Sequence, residues 1–555
     1  MNPRLPRFIV AALGLLWFIQ IGGGQTLNPL NTAWLFTGDW RQHWLGFIFF
    51  QRDPWTFPLG GLSSLLYPIG TNIGLTDSNP LLAIIAKVFS GVTPAEFQLI
   101  GPWLGVCFIL QGYFGAALAS TVTKDPAQQI LGGYLFVMSP ILVARLGHDT
   151  LSAHWILLAL LYCGLREYHD ARDVKAAVRL TLIAVVIAAG AHPYLAATSL
   201  VLALTVAVRL WRSKQLSLPR AATLAATATA IVITMWWLIG YFVRTPDGSS
   251  GFGKYAANLL TFIDPREFSS RLLPKLPSTS EQWEGYGFLG LGVIVAVVLG
   301  VVALTRQRPA RRPGAWAVAL ACIGLGIYAL SSHINVGSRE VLDLEWLYAR
   351  LMRVVGPFRA SGRFIWASVY LLTTFGIWGV TRIFRDARSQ AATVALALVV
   401  ILQASDFNLN KPWAKRPEDK RDPQVSAAMF AIAIGKYQHL ALAPAQVLGA
   451  CGDPYQEDYV YRFMLLAYRL KLTYNSGIYA RLDVQKVVKA CQTQNLAVDA
   501  AALDTRTIYV VSLDELPRFR TANAACGRWD GNWYCVSRAS DARFATYVET
   551  GKDPG

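Results

Sequence analysis

The sequence predicts an α-helical polytopic membrane protein with about eleven transmembrane helices, followed by a C-terminal soluble α/β domain. Of its 555 residues, 54% are hydrophobic and only 15% are charged, whereas soluble domains carry about 25% charged residues. Several continuous apolar runs approach or reach the roughly 20 residues that a helix needs to cross a bilayer. Basic residues cluster in the short connectors between these runs, as in polytopic membrane proteins.

The first apolar run follows Arg4 and Arg7 and resembles a signal peptide. We interpret it as a retained span, because no convincing small-residue cleavage site follows it. The run 80–90 is apolar but short, so we predict a re-entrant or surface helix there. The predicted spans are 8–23, 97–120, 128–143, 151–165, 180–190, 194–208, 221–243, 285–305, 315–331, 364–381 and 391–405.

The distribution of basic residues predicts the topology. The connectors assigned to the cytoplasm hold 18 Lys and Arg in 59 residues, and the outer segments hold 13 in 140. Cytoplasmic loops of membrane proteins carry such an excess, so the N-terminus is predicted inside and the long first loop, 24–79, outside. The net charge of +17 is thereby explained without a nucleic-acid partner. Counting 80–90 as a span would reverse the charge bias.

An odd number of spans places residues 406–555 outside, after a transmembrane domain formed by 1–405. A polar linker begins near Lys411, and the composition becomes that of a soluble domain. Strand-like stretches alternate with helical ones there, which predicts a small α/β domain. The strand-like stretches are 446–451, 507–511 and 532–536, and the helical ones are 425–434, 459–470 and 482–490.

The cysteines of this domain are even in number, which fits an oxidising compartment. Cys526 and Cys535 bracket a Gly-containing hairpin and are predicted to form a disulfide. Cys451 with Cys491 follows by elimination. A zinc site is the alternative, but neither the spacing nor a nearby histidine favours it.

Polar residues of the membrane domain converge on the predicted outer side, where ionisable groups at membrane depth are usually functional. Their common sidedness is the signal, since none of them is diagnostic alone. The candidates are Asp39, His43, Asp77, His148, His192, Lys254, Tyr255, Glu284, Arg359 and Arg363.

Several candidates have structural alternatives. Asp39 could cap a helix, although its place after the first span favours catalysis. Asp77, before Ser-Asn-Pro, has the residue type of an N-cap. His192 precedes Pro193 and could mark a helix break only.

The aromatic and basic candidates have alternatives too. His43 could be an interfacial residue among Trp40, Trp44 and Trp55, whose rings suit an aromatic belt or sugar stacking. Arg359 and Arg363 could be stray topology charges. Two arginines on an outer loop oppose the charge bias, however, so a bound anion explains them better.

The chain resembles membrane glycosyltransferases of the GT-C fold class across its full length, with an acidic residue in a long first outer loop and an outer C-terminal domain. More narrowly, it resembles an uncharacterised bacterial family of multi-spanning membrane proteins assigned to that class. The motifs that carry this resemblance are Gly38-Asp39-Trp40-Arg41-Gln42-His43, Pro54-Trp55-Thr56-Phe57-Pro58-Leu59-Gly60, Asp77-Ser78-Asn79-Pro80-Leu81, Gly147-His148, Trp283-Glu284-Gly285-Tyr286-Gly287-Phe288-Leu289-Gly290 and Ser361-Gly362-Arg363-Phe364.

The resemblance implies a GT-C-like fold in the bacterial inner membrane with a periplasmic C-terminal domain. It implies a polyprenyl-phosphate-linked sugar as donor and leaves the acceptor, whether saccharide, lipid or protein, unidentified. Asp39 would be the general base of an inverting transfer. Arg359 and Arg363, with His148 and Lys254, would bind the donor phosphate. The substrate-binding residues would be His43, Asp77, Tyr255, Glu284 and His192.

Two other function classes remain open. A transporter or flippase of a lipid-linked saccharide would use the same groups without a base, but no internal repeat is evident. A non-catalytic envelope assembly protein is the third class. No cofactor is required by the sequence: a divalent cation is compatible with it, although Asp39 has no adjacent second acid. Gly22-Gly23-Gly24 lacks the Lys-Ser/Thr of a nucleotide-phosphate loop.

Overall fold

A computed structural model describes residues 4–242, 251–306, 312–384, 389–408, 433, 435–452, 454–529 and 531–551. The chain divides into two compact units. Unit 1 comprises Met1–Pro29, Leu99–Trp236 and Gly248–Lys415, and unit 2 comprises Leu30–Gln98, Trp237–Asp247 and Arg416–Gly555. The predicted boundary at 405 differs from this division, because the first outer loop packs with the C-terminal part of the chain.

The described helices are α1 (Leu5–Gln20), α2 (Trp40–Arg52), α3 (Pro80–Val88), α4 (Ile100–Ala119), α5 (Pro126–Val137), α6 (Pro140–Ala144), α7 (Trp155–Leu165), α8 (Ala171–Ala191), α9 (Pro193–Arg212), α10 (Leu218–Ile239), α11 (Leu291–Arg306), α12 (Trp316–Ala329), α13 (Glu345–Val355), α14 (Trp366–Ile383), α15 (Ser389–Asp406), α16 (Glu457–Arg469), α17 (Val484–Asp499), α18 (Leu516–Thr521) and α19 (Ala542–Thr550). The strands are β1 (Gly61–Leu62), β2 (Thr71–Asn72), β3 (His333–Val336), β4 (Arg339–Asp343), β5 (His439–Ala443), β6 (Thr473–Tyr474), β7 (Thr507–Val511), β8 (Ala524–Trp529) and β9 (Asn532–Ser537). Short 3₁₀ turns join several of these elements.

Among the described residues, six helices are long and apolar enough to cross a bilayer, which indicates a multi-pass membrane protein. They are Ile100–Ala119, Pro126–Ala144, Ala171–Ala191, Pro193–Arg212, Leu218–Ile239 and Ser361–Ile383. Five further apolar helices have only 10 to 17 residues. Each predicted span coincides with one of these helices, but eleven crossings stay a prediction, because the five shorter helices do not reach membrane length.

Glycines bring the helices of unit 1 into backbone contact. A Cβ on Gly379 of α14 would lie 2.2 Å from the Cα atom of Gly300 on α11. In the same way, a Cβ on Gly14 of α1 would lie 2.2 Å from the carbonyl oxygen of Phe108 on α4. Small residues at such crossings let membrane helices approach closely and gain van der Waals contact. A side chain at either glycine would push the helices apart.

In unit 2, the first outer loop packs on the C-terminal part through arginines. Arg41 of α2 pairs with Glu457, at 2.8 Å, and with Asp458 at the start of α16. Arg52 donates to the carbonyl oxygens of Tyr468 and Leu472, at 2.9 and 2.8 Å. These bonds join α2 to the C-terminal end of α16 and to the residues just beyond it. They explain why residues 30–98 form one unit with the C-terminal residues.

The C-terminal part of unit 2 contains a five-stranded mixed sheet in the order β6-β5-β7-β9-β8. β5 runs parallel to β6 and β7, and β9 runs antiparallel to β7 and β8. The helix α17 and the helix α18 contribute Val498 and Phe519 to the core on one face of this sheet. The region is therefore α/β, as the alternation of strand-like and helical stretches indicates.

The element predictions for this region have different outcomes. The stretches 507–511 and 532–536 are strands β7 and β9. The prediction of a strand over 446–451 is wrong: a turn lies there, in which Val447 and Cys451 bridge to each other. The sequence prediction also missed β5, whose His-Leu-Ala-Leu-Ala residues are all buried. The predicted helix 425–434 lies outside the described residues, apart from Ala433.

Candidate functional site

Glycines position two of the predicted charged motifs of unit 1, those of Glu284 and Arg363. A Cβ on Gly362 would lie 2.5 Å from the Cα atom of Gly285, so the two chain segments meet backbone to backbone. The Gly362 amide also donates to the carbonyl oxygen of Tyr255, at 3.0 Å. This close approach brings the side chains beside the two glycines, Glu284 and Arg363, into contact.

Glu284 is the centre of a charged cluster. Its Oε2 accepts from Arg145 Nη1 and from Arg363 Nε, both at 2.8 Å, and its Oε1 accepts from Arg363 Nη2 at 2.5 Å. Arg145 Nη2 additionally donates to the backbone oxygen of Glu284 at 2.9 Å. Glu284 is only 6% exposed and Arg145 only 2%. Two guanidinium groups thus face one carboxylate in a buried site, and the three side chains carry a net charge of +1.

Aromatic and imidazole rings continue this cluster. The Arg363 guanidinium lies 4.7 Å from the ring centroid of Tyr194, whose hydroxyl accepts from the Ala360 amide at 2.8 Å. The Tyr194 ring centroid lies 5.5 Å from that of His192, and the His192 centroid lies 6.0 Å from that of His148. We call Arg145, His148, His192, Tyr194, Glu284 and Arg363 the Glu284 cluster.

The two arginines determine the ionisation of Glu284. Burial by itself would raise the pKa of this carboxyl, but the charges of Arg363 and Arg145, the Arg363 hydrogen bond and the charge of His148 lower the pKa well below its usual range. The carboxylate is therefore ionised at neutral pH. A carboxylate held in this state is a weak base, since an efficient general base has a pKa near the operating pH.

The remaining predicted residues of unit 1 lie at the edge of this region. Tyr255 contributes its backbone oxygen to Gly362. Arg359 is exposed, and its Cδ atom would lie 3.8 Å from a Cβ on Gly251, in the same segment as Tyr255. Lys254 is exposed, and no side-chain contact with another described residue defines a role for it.

His192 joins α8 to α9, and its ring has a structural role there. Its Nδ1 accepts from the Tyr194 amide at 3.2 Å, so His192 is the N-cap of α9. The helix-break alternative is therefore correct for the backbone. The same geometry places the His192 ring beside Tyr194 and His148, so the structural role does not exclude a functional one.

Arg145 and Tyr194 complete the cluster, and sequence reasoning assigned neither. One signal was available for Arg145: it is the only arginine or lysine in the outer segment 144–149. Tyr194 carried no such signal, because a tyrosine at a helix start is ordinary. Its proximity to Arg363 arises from the packing of chain segments that are distant in the sequence.

In unit 2, Asp39 is exposed at the N-cap position of α2, and its side chain makes no capping hydrogen bond. The capping alternative for Asp39 is therefore not realised. One turn later, the His43 amide donates to the Asp39 carbonyl oxygen at 3.1 Å. Asp39 also acts electrostatically on the hydroxyl of Tyr461 in α16, and so lies near that helix.

The aromatic residues around Asp39 are not where the sequence predicts them. Trp40 is 4% exposed and Trp44 is fully buried, with Trp44 Nε1 donating to the carbonyl oxygen of Phe97 at 2.9 Å. His43 is buried as well. The proposed aromatic belt and sugar-stacking faces are wrong for these residues, because α2 is covered by the rest of unit 2. Trp55 alone of the predicted set, at 49% exposure, is accessible.

The prediction that Asp77 caps α3 is also wrong. Asn79 is the N-cap, with its side-chain oxygen accepting from the Leu82 amide at 3.4 Å. Asp77 ends the preceding 3₁₀ turn in a left-handed conformation, with φ of 56°. Its carboxylate and the His43 ring offer ligand atoms within 4.8 Å of each other.

Two sets of side chains bear on the predicted divalent cation. His43 and Asp77 offer one ligand atom each. His333, Asp343 and Glu345 of the β3–β4 region offer three ligand atoms within 4.8 Å, but their side chains are 34%, 56% and 68% exposed. Exposed acidic groups occur widely without a metal, so the cation stays a proposal.

The four cysteines of unit 2 form the pairs that the sequence predicts, Cys526 with Cys535 and Cys451 with Cys491. Cys526 and Cys535 lie directly opposite each other in the β8–β9 hairpin. The three cysteines of unit 1, Cys107, Cys163 and Cys322, are buried and form no disulfide.

Comparison with known proteins identifies the family. Residues 11–408 match the model of a domain of unknown function, DUF6311, and residues 430–537 match the DUF6311 C-terminal domain. The first match covers well over half of the chain, so the chain belongs to the DUF6311 family. No curated protein matches it in sequence.

A solved structure with similarity to the chain is the oligosaccharyltransferase of Archaeoglobus fulgidus, in complex with zinc and sulfate. The two share 11% identity over 95% of this chain and 73% of that one, with a TM-score of 0.39. A TM-score of this size does not define a shared fold.

Proposed function

We propose that this member of the DUF6311 family is a membrane glycosyltransferase of the GT-C class. It would transfer a sugar from a polyprenyl-phosphate donor to an acceptor on the periplasmic side of the bacterial inner membrane. The observation that carries the proposal is the Glu284 cluster, in which Arg145, Arg363, His148 and His192 gather around one carboxylate and one tyrosine ring.

The cluster has the chemistry of a phosphate site. Its two guanidinium groups are oriented by Glu284, and Arg363 is held further against the Tyr194 ring. Fixed cations lower the free energy of a departing phosphate without reorganising during the reaction. The exposed Arg359 would extend the cluster toward the donor. Lys254 is the weakest member of the predicted set, since only its exposure supports it.

Asp39 is the better of two candidate bases. Glu284 is unsuitable, because two arginines hold it ionised and occupy both of its oxygens. Asp39 is exposed at the first turn of α2. Its helix is fixed in unit 2 by the Arg41 ion pairs, which would limit the motion of the carboxylate. The half-buried Asp77 would contribute to acceptor binding, and the buried His43 beside it would take part only from below the surface.

The proposed reaction is a direct displacement. Asp39 accepts the proton of the acceptor hydroxyl, and the acceptor oxygen forms a bond to the anomeric carbon. The bond from that carbon to the phosphate oxygen breaks, and polyprenyl phosphate leaves with the bonding electron pair. Attack opposite to the leaving group inverts the anomeric centre. No step requires an oxidant or a nucleotide.

Replacement of Asp39 tests this proposal. Asp39→Asn keeps the shape of the side chain but removes the basic oxygen, so turnover should fall by roughly 10²–10⁴-fold, the usual share of general base catalysis. Donor affinity should change little. The measurement is sugar transfer by the purified chain in lipid nanodiscs, from a synthetic polyprenyl-phosphate donor to a panel of acceptors. Asp483→Asn is a matched control, because Asp483 is also an N-cap aspartate of unit 2, on α17.

Three results would contradict the proposal. Near-wild-type turnover of Asp39→Asn would remove Asp39 as the base. Wild-type protein that moves the lipid-linked sugar across a bilayer but never transfers it would instead establish a flippase. Wild-type protein that neither moves nor transfers the sugar, but still binds an envelope protein, would favour the assembly role.

The proposed sidedness has its own test. Leu513 is 71% exposed in the C-terminal part of unit 2, and Lys175 is exposed at the start of α8 in a predicted cytoplasmic connector. Leu513→Cys should react with a membrane-impermeant maleimide in spheroplasts, whereas Lys175→Cys should react only after lysis. The native cysteines are paired or buried and should stay unlabelled. The reverse labelling pattern would invert the topology.

A further inference from the structure

A second charged site lies in unit 1, away from the residues assigned to sugar transfer. A cavity of about 490 Å³ is lined by the N-terminal end of α1, the junction of α4 with α5, the junction of α7 with α8, and Arg312 before α12. Four of the sequence-predicted cytoplasmic segments therefore contribute to one cavity. In the sequence these segments share only their excess of basic residues. In the folded chain they line the same cavity.

Cations outnumber carboxylates in the lining. Arg7, Lys124, Arg166 and Arg312 face the cavity, together with the carboxylates of Glu167 and Asp173. Both carboxylates are already engaged: Asp173 pairs with Arg166 at 2.6 Å, and Glu167 lies 3.5 Å from Arg312. The lining thus carries a net charge of +2 when its histidine is neutral. Among the described residues, no carboxylate lies within ion-pair distance of Arg7 or Lys124.

Hydrogen bonds to the protein hold two guanidinium groups of this cavity in place. Arg7 donates from Nη2 to the Tyr162 hydroxyl at 3.0 Å, and Arg312 donates to the carbonyl oxygens of Leu165 and Thr121, both at 2.6 Å. Arg7 and Arg312 are thereby fixed at the wall of the cavity, and the positive charge of Arg7 has no carboxylate partner among the described residues.

The ligand chemistry follows from these groups. Unpaired positive charge combined with several N–H donors is the pattern that binds phosphate, which offers negative charge and multiple acceptor oxygens. The cavity is too small and too polar in its lining for a large apolar ligand, but a phosphodiester head group fits in 490 Å³. Free phosphate would satisfy the same groups.

Neighbouring apolar residues favour a lipid as the source of the phosphate. On α1, Leu5 and Phe8 flank Arg7 and are 41% and 59% exposed, and Ile9 is 36% exposed. Exposed apolar side chains beside a cationic pocket at helix ends suit acyl chains below a bound head group. We propose that this cavity binds the head group of an anionic phospholipid. The predicted topology assigns that lipid to the cytoplasmic leaflet.

Native mass spectrometry of the full chain tests the assignment. Delipidated protein is titrated with dioleoyl-phosphatidylglycerol and, separately, with dioleoyl-phosphatidylcholine. The wild type should retain the anionic lipid in preference to the zwitterionic one. Arg7→Gln combined with Lys124→Gln should weaken binding of the anionic lipid by about tenfold or more, because the loss of even one charged hydrogen bond has an effect of that size.

A matched control separates a site from diffuse charge. Lys175→Gln with Arg179→Gln removes the same charge from exposed positions of α8 that do not line the cavity. This variant should bind as the wild type does. Lys124→Gln alone controls for misfolding of the double variant. Lys124 is exposed, whereas Arg7 also stacks on Tyr162, so its replacement could disturb the fold. The Lys124→Gln variant should lose part of the affinity with an unchanged melting temperature.

Three outcomes would overturn the proposal. Equal loss of affinity in the control variant would make the binding a general property of basic loops. Equal retention of both lipids would remove the role of charge. Thermal stabilisation by inorganic phosphate that depends on Arg7 and Lys124, without retention of the anionic lipid, would assign the cavity to free phosphate instead.

Discussion

Glu284 in unit 1 and Asp39 in unit 2 are both predicted outer carboxylates, but they differ in burial and in hydrogen bonding. Glu284 is buried, and its side chain accepts three hydrogen bonds from two arginines. Asp39 is exposed and forms no capping hydrogen bond with its helix. A buried, paired carboxylate organises the charges around it, whereas an exposed one is accessible to a substrate. The comparison favours phosphate binding around Glu284 and base chemistry at Asp39.

The largest expected effect on stability is at Glu284. Glu284→Gln leaves the charges of Arg145 and Arg363 buried without a carboxylate, and breaking such a pair costs about 3–5 kcal/mol. The purified variant should melt at a clearly lower temperature than the wild type. Glu345→Gln is the control, because that carboxylate is 68% exposed and its removal should change stability little. Asp39→Asn should also melt like the wild type, and equal destabilisation by Asp39→Asn would break the comparison.

The ion pairs of Glu284 with Arg145 and Arg363 also predict a pH dependence of the stability. The pKa of Glu284 is lowered in the folded state relative to about 4.3 in an unfolded chain. Its contribution to stability is therefore fully present above about pH 4.3 and is lost as the pH falls toward the lower folded-state value. The difference in melting temperature between wild type and Glu284→Gln should be constant from about pH 8 to about pH 5 and shrink below about pH 4. A difference that grows on acidification would contradict the lowered pKa.

Removal of a disulfide should affect unit 2 selectively. Cys526→Ser with Cys535→Ser opens a link between residues nine apart, and loss of a disulfide costs about 2–4 kcal/mol, with the smaller values for short loops. Hydrogen exchange should accelerate in β8, β9 and α19. Peptides from α11 and α14 of unit 1 serve as the internal control. Equal acceleration in those helices would mean that the two units unfold together.

Replacement of Arg359 should change donor affinity without changing the stability of unit 1. It is exposed, whereas Arg363 is buried and paired with Glu284. Arg359→Gln should weaken donor binding by about tenfold, the effect of one charged hydrogen bond, with an unchanged melting temperature. Arg363→Leu should lower both donor affinity and stability. Equilibrium binding of a non-transferable donor analogue measures the first effect, and unchanged affinity in Arg359→Gln would limit the phosphate site to the buried cluster.

The smallest expected effect distinguishes Asn79 from Asp77. Asn79→Ala should cost about 1 kcal/mol, because it removes the capping bond to the Leu82 amide. Asp77→Gly should be nearly neutral for the backbone, since its φ of 56° suits glycine. Melting temperatures of the two variants provide the measurement. A larger loss in Asp77→Gly than in Asn79→Ala would restore a structural role for the Asp77 side chain.

The sequence by itself determined the local features of this protein. The apolar runs predicted the positions of the membrane helices, because run length and composition decide whether a segment forms such a helix. The motifs around Glu284 and Arg363 were identified for a similar reason: charged residues on outer connectors are unusual enough to stand out. The hairpin cysteines followed from their spacing.

Only the tertiary structure decided how distant segments meet. The contact of Glu284 with Arg145 joins residues 139 positions apart, and no periodicity or composition encodes that pairing. The same holds for Trp40 and Trp44, which have the residue type of an interfacial belt but are buried under the fold of unit 2. Local propensity is a property of a few neighbouring residues, whereas burial and ion pairing depend on which segments pack together. The carboxylate that is buried and the carboxylate that stays exposed could therefore be told apart only in the folded chain.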